Sequence, residues 1–142
     1  MITKRTAIAA FGAALALAGC GSELGTDTYE VSLSCGEDCN HAPSQSGTGS
    51  ATVDGQTGQV DITVQGLPML TGEVYEGWLA GGDETPISTG RFNTDAQGAG
   101  SSTITLGDIS STTYERVVLT VEPEPDPDPA PDPRHSIGGD IE

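Results

Sequence analysis

Ala51-Thr52-Val53-Asp54-Gly55-Gln56-Thr57-Gly58-Gln59-Val60-Asp61-Ile62-Thr63-Val64-Gln65 is the stretch that decides the fold. Ala51 and Val53, then Val60, Ile62 and Val64, fall on alternate positions, with Thr52, Asp61, Thr63 and Gln65 between them. Successive side chains of a strand point to opposite faces, so each run puts one face on a core and one in water. Asp54-Gly55 and Gly58 supply the backbone freedom that a tight reversal needs, which predicts a β-hairpin.

The same period of two recurs on both sides of this hairpin. Tyr29, Val31 and Leu33 alternate with Glu30, Ser32 and Ser34. Ile104 and Leu106 flank Thr105, and Val117, Leu119 and Val121 alternate with Val118 and Thr120. Val74-Tyr75-Glu76-Gly77-Trp78-Leu79-Ala80 is apolar on both faces and predicts a central strand. Gly77 within it predicts a close backbone approach, with Trp78 or Tyr75 of a neighbour lying over it. Gly66-Leu67-Pro68, Gly81-Gly82-Asp83, Asp95-Ala96-Gln97-Gly98 and Gly107-Asp108 punctuate the chain at strand-like intervals. No helical periodicity appears after residue 20. The expected fold is all-β: an antiparallel, Ig-like β-sandwich of about seven or eight short strands, occupying residues 28–142.

Residues 122–134 interrupt this pattern with Glu122-Pro123-Glu124-Pro125-Asp126-Pro127-Asp128-Pro129-Ala130-Pro131-Asp132-Pro133-Arg134. Every second residue lacks an amide hydrogen, so neither a ladder nor a helix can form. An extended, acidic, polyproline-like excursion is expected, ending the domain or looping out before a last short strand at Ser136 to Ile141. A polyproline rod splays its carboxylates, so convergence on one cation is not expected, and no metal or cofactor is assigned.

At the other end the order is a basic start (Lys4, Arg5), an apolar run from Ala7 to Ala18, and Leu17-Ala18-Gly19-Cys20. This is the layout of a secretory signal, and the apolar run is too short for a spanning helix of about 20 residues. Leu17-Ala18-Gly19-Cys20 resembles the lipobox of prokaryotic lipoproteins. The resemblance implies cleavage before Cys20, lipid on its sulfur, and a domain held outside the cytoplasm on the cell membrane or an outer membrane. Residues 1–19 then form the signal peptide and 20–27 a lipidated, flexible tether.

The chain carries 21 Asp and Glu, 5 Lys and Arg, and a formal charge of −16. Without residues 1–19 only Arg91, Arg116 and Arg134 remain basic. A field of that sign repels nucleic acid and anionic headgroups and favours cations or basic proteins. An acidic, lysine-poor surface also suits a high-salt habitat. Cys35 and Cys39 form an isolated pair in an exported chain, and a disulfide is the expected state. The alternatives are a metal site using Cys35, Cys39, His41 and Asp38, which lacks a second ligand pair, or free thiols.

No catalytic constellation is present. His41 and His135 are the only histidines, far apart in sequence, and no Gly-x-Ser-x-Gly elbow accompanies them. A non-catalytic module is therefore expected, with loops 81–85 and 95–101 as candidate partner surfaces. Trp78 and Arg91 are the natural anchors for a protein partner in the envelope, against the plainer expectation that Trp78 belongs to the sandwich core. A purely structural envelope lipoprotein is the alternative function.

Four motifs occur in order: Tyr75-Glu76-Gly77-Trp78-Leu79, Ile87-Ser88-Thr89-Gly90-Arg91-Phe92, Asp95-Ala96-Gln97-Gly98 and Val118-Leu119-Thr120-Val121-Glu122-Pro123. The series, over about residues 48–142, resembles the extracytoplasmic C-terminal domain of RskA-type anti-sigma-K factors. The resemblance implies an all-β domain outside the cytoplasmic membrane. In that family a separate cytoplasmic domain, joined through a membrane helix, binds the sigma factor. The expectation here is that a lipid anchor replaces both, so that no direct sigma-factor contact is made.

Overall fold

The computed structural model describes residues 22–142. The lipobox ending at Cys20 and the signal region before it lie outside the described residues. Among the described residues eight strands follow one another: β1 (Thr28–Ser34), β2 (Thr48–Asp54), β3 (Gln59–Gln65), β4 (Glu73–Ala80), β5 (Ile87–Phe92), β6 (Gly100–Thr105), β7 (Arg116–Pro123) and β8 (His135–Asp140). A short 3₁₀ turn, Ala42–Ser44, precedes β2.

The hairpin forms where the alternation placed it, with Val53 opposite Val60 and Ala51 opposite Ile62. Asp54 closes it: its carboxylate accepts the amides of Gln56 at 2.9 Å and Thr57 at 3.0 Å. Gly58 sits at φ +75°, and a Cβ there would lie 1.9 Å from the carbonyl oxygen of Gly107. Only glycine fits both conditions.

All pairings are antiparallel, in the order β5-β4-β7-β8-β1-β2-β3-β6. The expected two layers are therefore one continuous sheet, folded over and nearly closed. β8 makes the fold-over. It pairs along β7 with a register shift between Val118 and Thr120, but meets β1 only at Ser34 opposite Gly138. At the other seam the Ser102 hydroxyl of β6 donates to the Thr89 carbonyl of β5 at 3.2 Å. Between the halves lies the core: Tyr29, Val31, Leu33, Val53, Val60, Ile62 and Val64 face Tyr75, Leu79, Val117, Leu119, Val121 and Ile137. Leu24 joins this core, and its amide bonds to the Thr112 carbonyl at 2.9 Å, so the packed domain begins before residue 28.

Gly77 does mark a close approach, but from other residues than expected. Tyr75 and Trp78 share its own strand; a Cβ at 77 would meet Thr89 Oγ1 at 2.4 Å and Ile62 Cδ1 at 2.8 Å. Trp78 also departs from expectation. Tyr75, Gly77 and Leu79 point into the core opposite Val121, Leu119 and Val117, so Trp78 points to the outer face, opposite Val118. It is nevertheless only 4% exposed. Something covers that face.

Candidate functional site

The cover is the Pro-rich segment. Leaving β7 at Pro123, it arches over the outer face of β4 and β7 and returns as β8. Its alternation has a structural logic. Proline removes every second amide, and most of those left are met by carboxylates: Asp126 accepts from Asp128 at 3.0 Å, Asp128 from Ala130 at 2.9 Å, and Asp132 from Arg134 at 2.9 Å. The Asp132 amide instead reaches down to Glu122, at 2.8 Å. Both ends of this strap are fastened by arginine. Arg91 donates to the Pro123 carbonyl at 2.9 Å and to Glu124 at 2.7 Å; Arg134 pairs with Glu73 and with Asp132.

Beneath the strap runs a polar relay. The Trp78 indole N–H donates to Thr120 Oγ1 at 2.9 Å, and the Thr120 hydroxyl donates in turn to the Glu122 carboxylate. Glu122 is 1% exposed. Glu76 and Asp126 lie beside it, each offering a carboxylate oxygen within 4.8 Å of the others. Burial is the largest influence on Glu122 and pushes its carboxyl pKa up. The hydrogen bond and charge of Asp126 act in the same sense, and the Thr120 hydroxyl and Asp132 amide oppose them. Carboxylates that share one site disfavour each other's charged form. Ca²⁺ takes about 6–8 oxygens, whereas Ser88 at 2.5 Å, Arg91 at 3.8 Å, Thr120 and the Asp132 amide already occupy this cluster. Three carboxylates this close, with Glu122 and Glu76 buried, disfavour full ionisation of the cluster.

The outer face carries a groove. Trp78, Ala80, Pro86, Val118, Pro131 and His135 line a largely apolar cavity of about 330 Å³. Arg116, Val118 and His135 also line a second cavity of about 400 Å³, walled by Gly36, Glu37, Asp38 and Cys39 and by Asp140. Cys35 and Cys39 are joined as a disulfide with Cα atoms 5.1 Å apart. The alternative metal ligands are engaged elsewhere: Asp38 pairs with Arg116 at 3.0 Å, and His41 Nδ1 lies 2.8 Å from Ser44 Oγ. Ser44 has no exposed surface and accepts a further hydrogen bond from Ser136 at 2.7 Å. This histidine–serine contact is an internal link, closed to a substrate.

The anti-sigma-like motifs divide between these two faces. Tyr75 and Leu79 fill the core, Phe92 packs on Tyr75 with ring centres 5.9 Å apart, and Asp95 closes a turn by accepting the amides of Gln97 and Ala99. Trp78, Arg91 and Glu122 build the strap and the face it covers. The family described as "Anti-sigma-K factor rskA, C-terminal" matches residues 6–137. The chain belongs to this family. No curated protein and no solved structure matches it. Among the described residues of this RskA C-terminal chain, no helix is long and apolar enough to cross a membrane.

Trp78 and Arg91 thus share one face of the RskA-type domain, flanking Glu76. Arg91 is spent largely on the strap. The two candidate loops do not converge: Gly81 and Pro86 border the Trp78 cavity, whereas Ala96, Gln97 and Gly98 line a shallow cavity with Pro43 and Pro68 at the other end of β5. The acidic relay went unnoticed in the sequence. Its signal was an acid inside a strand otherwise apolar on both faces, Glu76, and a second at the end of the Val117–Val121 run, Glu122, directly ahead of a chain segment that can fold back.

Proposed function

We propose that the chain is a lipid-anchored, extracytoplasmic, non-catalytic binding module that receives an extended polypeptide segment in the Trp78 groove. The observation that carries this reading is that the two cavities adjoin, sharing Arg116, Val118 and His135 in their walls. Each falls in the size range of ligand clefts, about 300–1,000 Å³. One end offers Trp78, Pro86 and Pro131 to an apolar side chain, and the other offers Glu37, Asp38 and Asp140. With a net charge of −16 behind it, that end favours a Lys- or Arg-bearing segment. Family membership supports an anti-sigma-like module, and the lipobox supports anchoring through Cys20.

A photoreactive residue in place of Pro86, which is exposed at the groove rim, tests the surface in intact cells. The expected result is a discrete crosslinked adduct that disappears with Trp78→Ala and is absent when the photoreactive group replaces the exposed Glu30 on β1. Equal adducts from both positions, or none from Pro86, would overturn the reading. Cys20→Ala tests the anchor: the protein should leave the membrane fraction, and unchanged sedimentation would refute it.

A further inference from the structure

We propose that the Pro-rich segment is a proton-operated strap: the proton held between Glu122 and Asp126 keeps it closed over Trp78, and loss of that proton releases it. The consequence for partner binding rests on the groove reading above; the motion itself does not.

The geometry carries the argument. Glu122 belongs to β7 and Asp126 to the strap, and their carboxylate oxygens lie within 4.8 Å of each other, so a proton between them joins the moving part to the sheet. The strap's second tie on the same carboxylate is the Asp132 amide. Without the proton, Glu122, Asp126 and Glu76 present three negative charges within 4.8 Å of one another. Like charges at such spacing repel strongly where water is scarce.

Among the described residues, each neighbouring arginine is already engaged. From β5, Arg91 reaches Glu76 at 3.8 Å but is held closer by Glu124, at 2.7 Å. Arg134, at the start of β8, is taken by Asp132 and by Glu73 of β4. His135 stands opposite Thr120 on the same face. The charge is relieved by separating Asp126 from Glu122. The strap's ends stay fixed, by the Glu124 amide on the Gly72 carbonyl at 3.1 Å, the Val121 amide on the Arg134 carbonyl at 3.0 Å and Asn40 on the Pro133 carbonyl at 3.0 Å. Residues 125–131 between them carry internal bonds, Asp128 to Asp126 and Ala130 to Asp128, and are the part that lifts. Opening uncovers Trp78 through Pro131 and widens the apolar end of the groove.

Trp78 is the only tryptophan in the chain, so its fluorescence reports the strap without any partner. Raising pH from about 5 to about 9 should shift Trp78 emission to the red and raise acrylamide quenching several-fold, reversibly and in one titration. Circular dichroism should show the sheet intact throughout. Glu122→Gln, which holds a neutral group at 122, should keep Trp78 shielded at every pH. Asp126→Asn should do the same from the strap side, and serves if the buried substitution fails to fold. An emission spectrum that does not change with pH in the unaltered protein, or an unchanged titration in both variants, overturns the proposal. A normal titration combined with no Pro86 adduct would sink the binding reading alone.

Discussion

Glu122 and the Asp132 amide, ten residues apart in the chain, meet at 2.8 Å beneath the strap. With the Thr120 hydroxyl on the same carboxylate, this makes Glu122 a buried point where strap and sheet are joined. Glu122→Ala orphans both donors, and a buried unsatisfied donor costs about 1–3 kcal/mol. Urea unfolding should show a loss in that range or above. Glu122→Gln keeps an acceptor oxygen and should lose clearly less.

Thr120→Val preserves shape while removing the acceptor for the Trp78 indole and the donor to Glu122. The unpaired indole N–H predicts a loss of about 1–3 kcal/mol, together with a Trp78 emission spectrum altered at pH values where the strap is closed. Unchanged stability and emission would mean that the relay contributes nothing.

The core was legible because its residues obey one simple rule. Ala51 to Val64, Tyr29 to Leu33 and Val117 to Val121 alternate, and each apolar position in them except Val118 faces inward. β5 offered no such pattern. Its register shifts where Gly77 and Trp78 of β4 meet Gly90 and Ser88, which leaves Thr89 as an extra residue and breaks the alternation. Trp78 was misplaced for a related reason: an aromatic residue in a strand apolar on both faces has no parity signal, and which face it takes depends on register with β7. The strap was visible as a segment unable to join the sheet, but its docking depends on Asp132 meeting Glu122 and Arg91 meeting Glu124. Composition and periodicity carry no information about such long-range pairs.

Gly77→Ala tests a close contact of β4 with both its neighbouring strand and the opposite layer. The added methyl would sit 2.4 Å from Thr89 Oγ1 and 2.8 Å from Ile62 Cδ1, one neighbour on β5 and the other on the opposite layer. Overpacking of this kind costs about 1–3 kcal/mol. A thermal melt should show the loss, and pairing the change with Ile62→Val should recover part of it by removing the methyl at the closest apolar contact.

The Cys35–Cys39 disulfide closes a short loop, four positions apart. Loop-closure entropy for so small a ring is about 2 kcal/mol, so reduction should lower stability modestly and leave the fold intact. Its larger effect should be local. The loop presents Asp38 to Arg116 at 3.0 Å across the second cavity, and a Cys35→Ser, Cys39→Ser variant should lose order there. Backbone amide exchange of residues 36–39 should accelerate while that of β1 to β3 stays slow.

Two sets of carboxylates push the pH dependence of stability in opposite directions. Asp132, beside the Arg134 guanidinium, and Asp95 and Asp108, bonded to turn amides and to Ser110, all lie below their ordinary value of 3.8. Groups with lowered values bind fewer protons when folded. Their stabilisation is present above 3.8 and is lost as pH falls through the folded-state values. Glu122 lies above its ordinary 4.5, chiefly through burial. It binds more protons when folded, so its contribution is complete below 4.5 and disappears as pH rises through the raised value. The urea midpoint should therefore peak between these limits, above the lowered Asp values and below the raised Glu122 value. Asp132→Asn should flatten the acid limb and Glu122→Gln the alkaline one. An alkaline limb that is the same in the unaltered protein and in Glu122→Gln would contradict the assignment of Glu122 as the proton-holding group.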